Sequence, residues 1–241
     1  LNTGFVDLDF MTSGLQPTDL VIVGARPGMG KTSFVMSIAE HVAIQKNKKV
    51  LVVSMEMSKK EIAKRLLCSI ARVNSKKIMQ RNLNNDDWQR IGEARVAINR
   101  ANIYIDDPSM LTPMQLRSRV RRLFQKMPGF ELIILDYLQL LHDPAYKNNR
   151  VQEIGSIARA LKGLAKEMAV PVIALSQLSR ALENRGDKRP TLSDLRDSGE
   201  IEQNADIVTF IYRDDYYNDQ SPDKGVAEIL ISKNRNGSTG I

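Results

Sequence analysis

The sequence predicts an α/β fold in which a largely parallel sheet is covered by helices on both faces. Three observations carry that expectation. Short β-branched or apolar runs alternate with longer stretches at helical spacing, the pattern of repeated strand-helix units. The 241 residues are 42% hydrophobic, enough for one full core, and make one domain the better expectation. A glycine-containing turn, GARPGMGKT at 24–32, follows the first predicted strand and opens a helix.

Strands are expected at 20–24, 50–54, 103–106, 132–136, 171–176, 207–212 and 227–232, and helices at 31–45, 59–72, 86–100, 113–127 and 150–168. In the fourth helix Leu116, Val120, Leu123, Phe124 and Met127 form an apolar stripe, while Arg117, Arg119, Arg121 and Arg122 fall largely outside it. That arginine cluster reads as a solvated face as readily as a surface for DNA or a neighbouring subunit. Ser58 followed by Glu61 has the form of a capping box at the start of the second helix. Segments 142–149 and 183–199 resist regular structure, and both follow strand C-termini, the edge where ligands bind in open α/β sheets.

Composition narrows the class. Lys and Arg number 35 against 28 Asp and Glu, a net charge of +7 that permits a polyanionic partner without demanding one. A single cysteine, Cys68, excludes a disulfide framework and a cysteine-rich zinc site, and fits a reducing, cytoplasmic setting. No apolar run approaches the ~20 residues that span a bilayer, so no membrane partner is expected. His41 and His142 have no companion at metal-ligand spacing, and Trp88 asks only for a packing role. A chain that starts at Leu1 rather than Met and stops shortly after a strand is expected to be part of a longer polypeptide.

The chemistry starts at the glycine-containing turn, which points successive backbone N–H groups at a phosphate. Lys31 is the expected partner of the β and γ phosphates, and Thr32 the expected Mg²⁺ ligand. The turn departs from the usual pattern in having Ala25 at the first glycine position. Asp136 ends the apolar run Leu132-Ile-Ile-Leu-Asp136, where a carboxylate supports the metal. Glu56 ends the second strand, as a water-activating base or as an acid just ahead of the Ser58 cap; the two are compatible. Gln177, ending the fifth strand, is a polar terminus or a group that hydrogen-bonds the γ-phosphate. Lys233 and Arg235 share one side of an emerging strand, as solvated edge charges or as fingers for a neighbouring subunit's nucleotide.

Taken in order, GARPGMGKT (24–32), SMEMS (54–58), LDYLQLL (135–141), ALSQLSR (174–180), RPTLSDLRDSGEIEQNAD (189–206) and KNRNGSTG (233–240) resemble the DnaB family of bacterial and phage replicative DNA helicases. The resemblance covers nearly the whole chain and corresponds to that family's C-terminal, RecA-like motor domain; its N-terminal helical domain and linker helix would lie outside this sequence. It implies a ring-shaped homohexamer that moves 5′ to 3′ along single-stranded DNA with ATP between adjacent subunits, and primase and a helicase loader as partners. It implies that Gly28, Met29, Gly30, Lys31, Thr32 and Ser33 hold ATP, that Thr32 and Asp136 serve Mg²⁺, that Glu56 activates water and that Gln177 senses the γ-phosphate. Arg65 would lie near the nucleotide, while Lys233, Asn234 and Arg235 would act in trans. Arg196, Asp197 and Gly199 fall at the family's DNA-contacting positions. Since Asp194, Asp197 and Glu200 outnumber Arg196 there, contact through backbone N–H groups plus one arginine is the more credible mode. Met55 stands where Leu is common, and Asn204 where the family usually has Asp. Two other readings share most of these parts: a strand-pairing recombinase of the RecA and RadA type, and a regulatory ATP-binding ring of the KaiC type with no DNA partner.

Overall fold

The strands are β1 (Leu20–Ala25), β2 (Lys49–Ser54), β3 (Ile103–Asp106), β4 (Phe130–Asp136), β5 (Val172–Gln177), β6 (Ile207–Tyr212) and β7 (Glu228–Asn234). The α-helices are α1 (Val6–Thr12), α2 (Lys31–Glu40), α3 (Lys59–Ala71), α4 (Ser75–Met79), α5 (Asn85–Arg100), α6 (Pro113–Lys126), α7 (Arg150–Met168) and α8 (Gly199–Asn204). These elements come from a computed structural model that describes residues 1–146, 149–195 and 199–241. The seven strands form one sheet in the order β3-β2-β4-β5-β1-β6-β7. All the neighbouring pairs are parallel except β6 with β7.

Burial explains the two-sided architecture. Leu20 and Ile22 of β1 pack into a cluster with Leu116 and Val120 of α6 and Ile157 and Leu161 of α7. The intervening Val21 and Val23 face Val35 and Ile38 of α2 and Ile62 and Leu66 of α3. Successive strand side chains point to opposite faces, so a strand apolar at every position must be covered twice. The parallel register puts the C-terminal ends of the central strands on one edge, with Ala25 beside Gln177 and Ser54 beside Asp136.

Local chemistry sets the helix starts. Ser58 and Glu61 form the expected capping box on α3, and Thr112 with Gln115 forms another on α6, where Pro113 takes the first turn. The helix expected over 31–45 instead ends as α2 at Glu40 and continues as a π-helix over His41–Gln45. The wider turn keeps Val42 and Ala43 buried against the sheet. Three short helices lie outside the expected set. α1 leaves Val6 and Phe10 exposed, α4 buries nothing and α8 buries only Ile201, so none shows a clear apolar stripe. Among the described residues, the two irregular segments hold 3₁₀ turns at Pro144–Tyr146, Arg180–Asn184 and Leu192–Asp194, and the second runs into α8 at Gly199. Trp88 does not serve packing as expected: it is 60% exposed on α5. On α6, Arg117 and Arg121 pair with Glu167 and Arg119 with Asp106, which favours the solvated face.

Candidate active site

The turn between β1 and α2 is built to present backbone donors. Gly28 and Gly30 take φ of 82° and 92°, a region that only glycine adopts readily. A Cβ at Gly28 would meet the Tyr216 ring at 3.2 Å, whereas nothing lies within 4 Å of one at Gly30. Met29 is buried in the α2 core and anchors the turn. α2 has Gly30 at its N-cap and no side-chain cap, which leaves its first-turn N–H groups, including that of exposed Ser33, available to an anion. Ala25 is the last residue of β1, in extended backbone, so the missing first glycine costs the turn nothing. Gly24 is required for another reason: a Cβ there would strike Phe210 at 2.7 Å.

Lys31, Thr32 and Asp136 come together beneath this turn. The Thr32 hydroxyl donates to Asp136 Oδ2 at 3.0 Å, while Oδ1 of the same carboxylate is buried without a partner. Burial raises the Asp136 carboxyl above its ordinary range, opposed first by the Lys31 charge and then by the Thr32 hydrogen bond. Burial likewise lowers the Lys31 ammonium, opposed by Asp136 and then Glu56. The Lys31 ammonium sits 4.9 Å from the centre of the Tyr137 ring. A half-buried lysine and a half-satisfied buried aspartate are both short of a partner that an anion with its metal would supply.

These residues fit Mg²⁺ bound with a phosphate. Thr32 Oγ1 and the orphaned Asp136 oxygen are hard oxygen donors of the kind that ion takes. Among the described residues no group of three or more His, Cys, Asp or Glu gathers for a metal. The remaining ligands would therefore come from phosphate and water, as is usual for Mg²⁺. Glu56 is exposed just past the end of β2, and Arg65 is exposed on α3, close enough for its charge to stabilise ionised Asp136.

Gln177 is held by a residue that the sequence motifs do not single out. Gln139 accepts from Gln177 N at 3.2 Å and donates to Ser176 Oγ and Gln177 O at 2.9 and 3.1 Å. Arg150 fixes Gln139 in turn by donating to its carbonyl at 2.7 Å. The one signal for Gln139 is a lone polar residue inside the apolar stretch Leu138-Gln-Leu-Leu141. Arg26, buried within the turn itself, is a second residue that the motif reading leaves without a role.

The structure does not bring Lys233, Asn234 and Arg235 to this site. Ile207, the first residue of β6, pairs with Asn234, which puts all three at the edge where the parallel strands begin. Lys233 donates to the carbonyls of Glu202 and Ala205, Arg235 pairs with Asp206 at 3.1 Å, and Asn234 donates to Met11 O at 3.1 Å. The length of β1, roughly 16 Å at ~3.3 Å per residue, separates them from the β1–α2 turn of their own chain. Gly199 opens α8 and is exposed, whereas Arg196 and Asp197 lie outside the described residues. Asn204 donates to Glu200 O at 2.7 Å, a bond that an aspartate at that position could not make. No described helix is long and apolar enough to cross a membrane.

Comparison with known proteins gives the family and the fold. The family model described as the DnaB-like helicase C terminal domain matches residues 1–241. The replicative DNA helicase DnaB of Pasteurella multocida (strain Pm70) is 54% identical over 242 residues, which cover 100% of this chain and 52% of that protein. Among solved structures, one described as an ATPase domain is 42% identical with a TM-score of 0.93, covering 99% of this chain and 84% of that one. A DnaB-like replicative helicase described with its interactions with primase is 42% identical with a TM-score of 0.94, over 99% of this chain and 59% of that one. The chain spans about half the length of the curated relatives it matches. The fold is accordingly RecA-like, and the chain belongs to the family of DnaB-like helicases, within its C-terminal domain.

Proposed function

We propose that this chain is the ATP-hydrolysing motor of a replicative DNA helicase that translocates 5′ to 3′ on single-stranded DNA and unwinds the duplex ahead of it. The observation that carries the reading is buried Asp136, with one oxygen on Thr32 and the other unpaired, beneath the uncapped start of α2. Such a site favours a bound nucleotide phosphate with its cation over water.

ATP would lie with its phosphates on the N–H groups of residues 28–33 and on Lys31. Mg²⁺ held by Thr32 and Asp136 would neutralise charge on the phosphate oxygens. Glu56, exposed at the neighbouring strand end, would orient and deprotonate the attacking water. Gln177, its backbone clamped by Gln139, would leave its side-chain amide to register the γ-phosphate. Lys233 and Arg235 would complete the site of an adjacent subunit in a homohexamer, with Asn234 beside them and Arg65 near the nucleotide. Arg196, Asp197 and Gly199 would touch the DNA backbone. Primase and a loader would be partners in the cytoplasm.

The test is ATP turnover with and without poly-dT, followed by unwinding of a forked duplex, in the protein that carries this chain. Poly-dT is expected to raise turnover, and Glu56→Ala to lower it by about 10² to 10⁴-fold, the usual range for loss of a general base, with unwinding abolished. A turnover indifferent to poly-dT in the unmodified protein would sink the DNA-motor reading.

A further inference from the structure

Arg26 sits inside the phosphate-binding turn, yet its hydrogen bonds go elsewhere. It is 7% exposed, and its Nη1 donates to Leu178 O at 2.9 Å while Nε and Nη2 donate to Glu183 Oε1 at 2.9 and 2.7 Å. The backbone repeats the grip, because Leu178 N donates to Ala25 O at 3.2 Å. One residue past β5 is thus held at its N–H by Ala25 and at its C=O by Arg26.

From Leu178 the connection continues across the irregular segment. Leu178 forms an antiparallel bridge with Leu195, and Ser179 N donates to Asp194 O at 3.0 Å. Asp194, itself buried, accepts from Arg185 at 2.8 Å and from Thr191 N at 2.8 Å. Lys188 lies 5.2 Å from the Tyr217 ring, and Arg189 makes a two-pronged pair with Glu228 of β7. Burial raises the Tyr217 phenol pKa, reinforced by Glu183 and opposed by Arg26, so this ring sits close to the ion pair.

Arg26 is buried while the Glu183 carboxylate is 40% exposed, so opening the pair leaves the guanidinium as the uncompensated charge. We infer that Arg26 is a positioning residue: it ties the phosphate-binding turn to segment 178–195, whose far end is held back on Leu178 by the Leu178–Leu195 bridge. Three of its five N–H donors are committed to that segment, which argues against a role as a phosphate ligand. The functional consequence, that nucleotide state is relayed towards a DNA contact, rests on the proposed DNA-binding role of 196–199.

Two measurements test it in the protein that carries this chain. Hydrogen exchange is compared with and without a non-hydrolysable ATP analogue in the unmodified protein, Arg26→Ala, Arg26→Lys and Glu183→Ala. The analogue is expected to change protection over 178–195 in the unmodified protein. Arg26→Ala should lose that response while residues 30–34 still respond, and Arg26→Lys, able to keep one contact, should recover part of it. A merely structural role would not separate the two segments. The second measurement is the ratio of turnover with poly-dT to turnover without it, expected to fall about fivefold or more in Arg26→Ala and less in Glu183→Ala. Retention of the 178–195 response in both alanine variants would overturn the inference, and retention in Glu183→Ala alone overturns it if Arg26→Ala fails to fold. A lost response in Arg26→Ala, together with no poly-dT effect in the unmodified protein, would leave Arg26 as the tie and remove only the DNA reading.

Discussion

Asp136 is 2% exposed, has one unpartnered oxygen, and sits between an ammonium that favours its charge and a burial that opposes it. Burial wins, so the folded carboxyl holds its proton more readily than the unfolded one. A carboxyl with a raised folded pKa stabilises the fold below the unfolded pKa, and that contribution is lost as pH rises through the folded pKa. Above the folded pKa, the ionised carboxylate of ligand-free Asp136 is therefore a liability to the fold. Asp136→Asn, which removes the buried charge while its amide oxygen can still accept from Thr32, is expected to leave the ligand-free protein as stable or more stable. It should also lose the rise in melting temperature that MgATP analogues confer; differential scanning fluorimetry at neutral pH with and without them checks both. The meeting of Lys31, Thr32 and Asp136 is legible in the sequence because their positions follow from a local turn and a strand end. Gln139 and Arg26 are not, since each matters through contacts 38 and 157 residues away along the chain.

The turn that joins β1 to α2 carries two kinds of constraint that separate by mutation. Gly30 has only its φ of 92° to defend, because no atom lies within 4 Å of an added Cβ. Gly28 combines a φ of 82° with the Tyr216 ring at 3.2 Å. Left-handed backbone costs an L-residue roughly 1–2 kcal/mol, so Gly30→Ala is expected to weaken nucleotide binding about tenfold. Gly28→Ala should weaken it further, and adding Tyr216→Ala should return only that difference; titration with a fluorescent ATP analogue measures all three. Full rescue of Gly28→Ala would mean that the ring contact, not the backbone angle, sets the requirement. The same balance of local and tertiary forces decides which elements can be read in advance. All seven strands and the five longer helices announce themselves by runs, stripes and caps such as Ser58 with Glu61. α1, α4 and α8 do not, because they bury almost nothing of their own, and the π-helical end of α2 reflects burial against the sheet that no helical period encodes.

At the scale of the whole molecule, the parallel sheet sorts the candidate site to two opposite edges. The β1–α2 turn, Asp136, Glu56 and Gln177 gather where β1, β2, β4 and β5 end, while Lys233 and Arg235 sit where β1 and β6 begin. Asp206 anchors that second edge: it accepts from Leu20 N at 2.8 Å, pairs with Lys162, and is 3.1 Å from Arg235, whose side chain remains about half exposed. No side-chain rotation carries these cations the length of β1 to their own phosphate turn, so a catalytic role for them requires a second copy. That requirement can be tested by mixing two inactive proteins. Lys31→Ala would lack the proposed phosphate contact but keep the cations, and Arg235→Ala would keep the β1–α2 turn intact but lack one cation. If the cations act across an interface, random co-assembly leaves about a quarter of the interfaces with both parts intact, and turnover should rise well above that of either variant alone. If Arg235 serves only its own chain, or only the Asp206 anchor, each assembled site keeps its own defect and mixing restores nothing. Steady-state ATP turnover across a series of mixing ratios distinguishes the two, with a maximum near equal proportions expected for action between subunits.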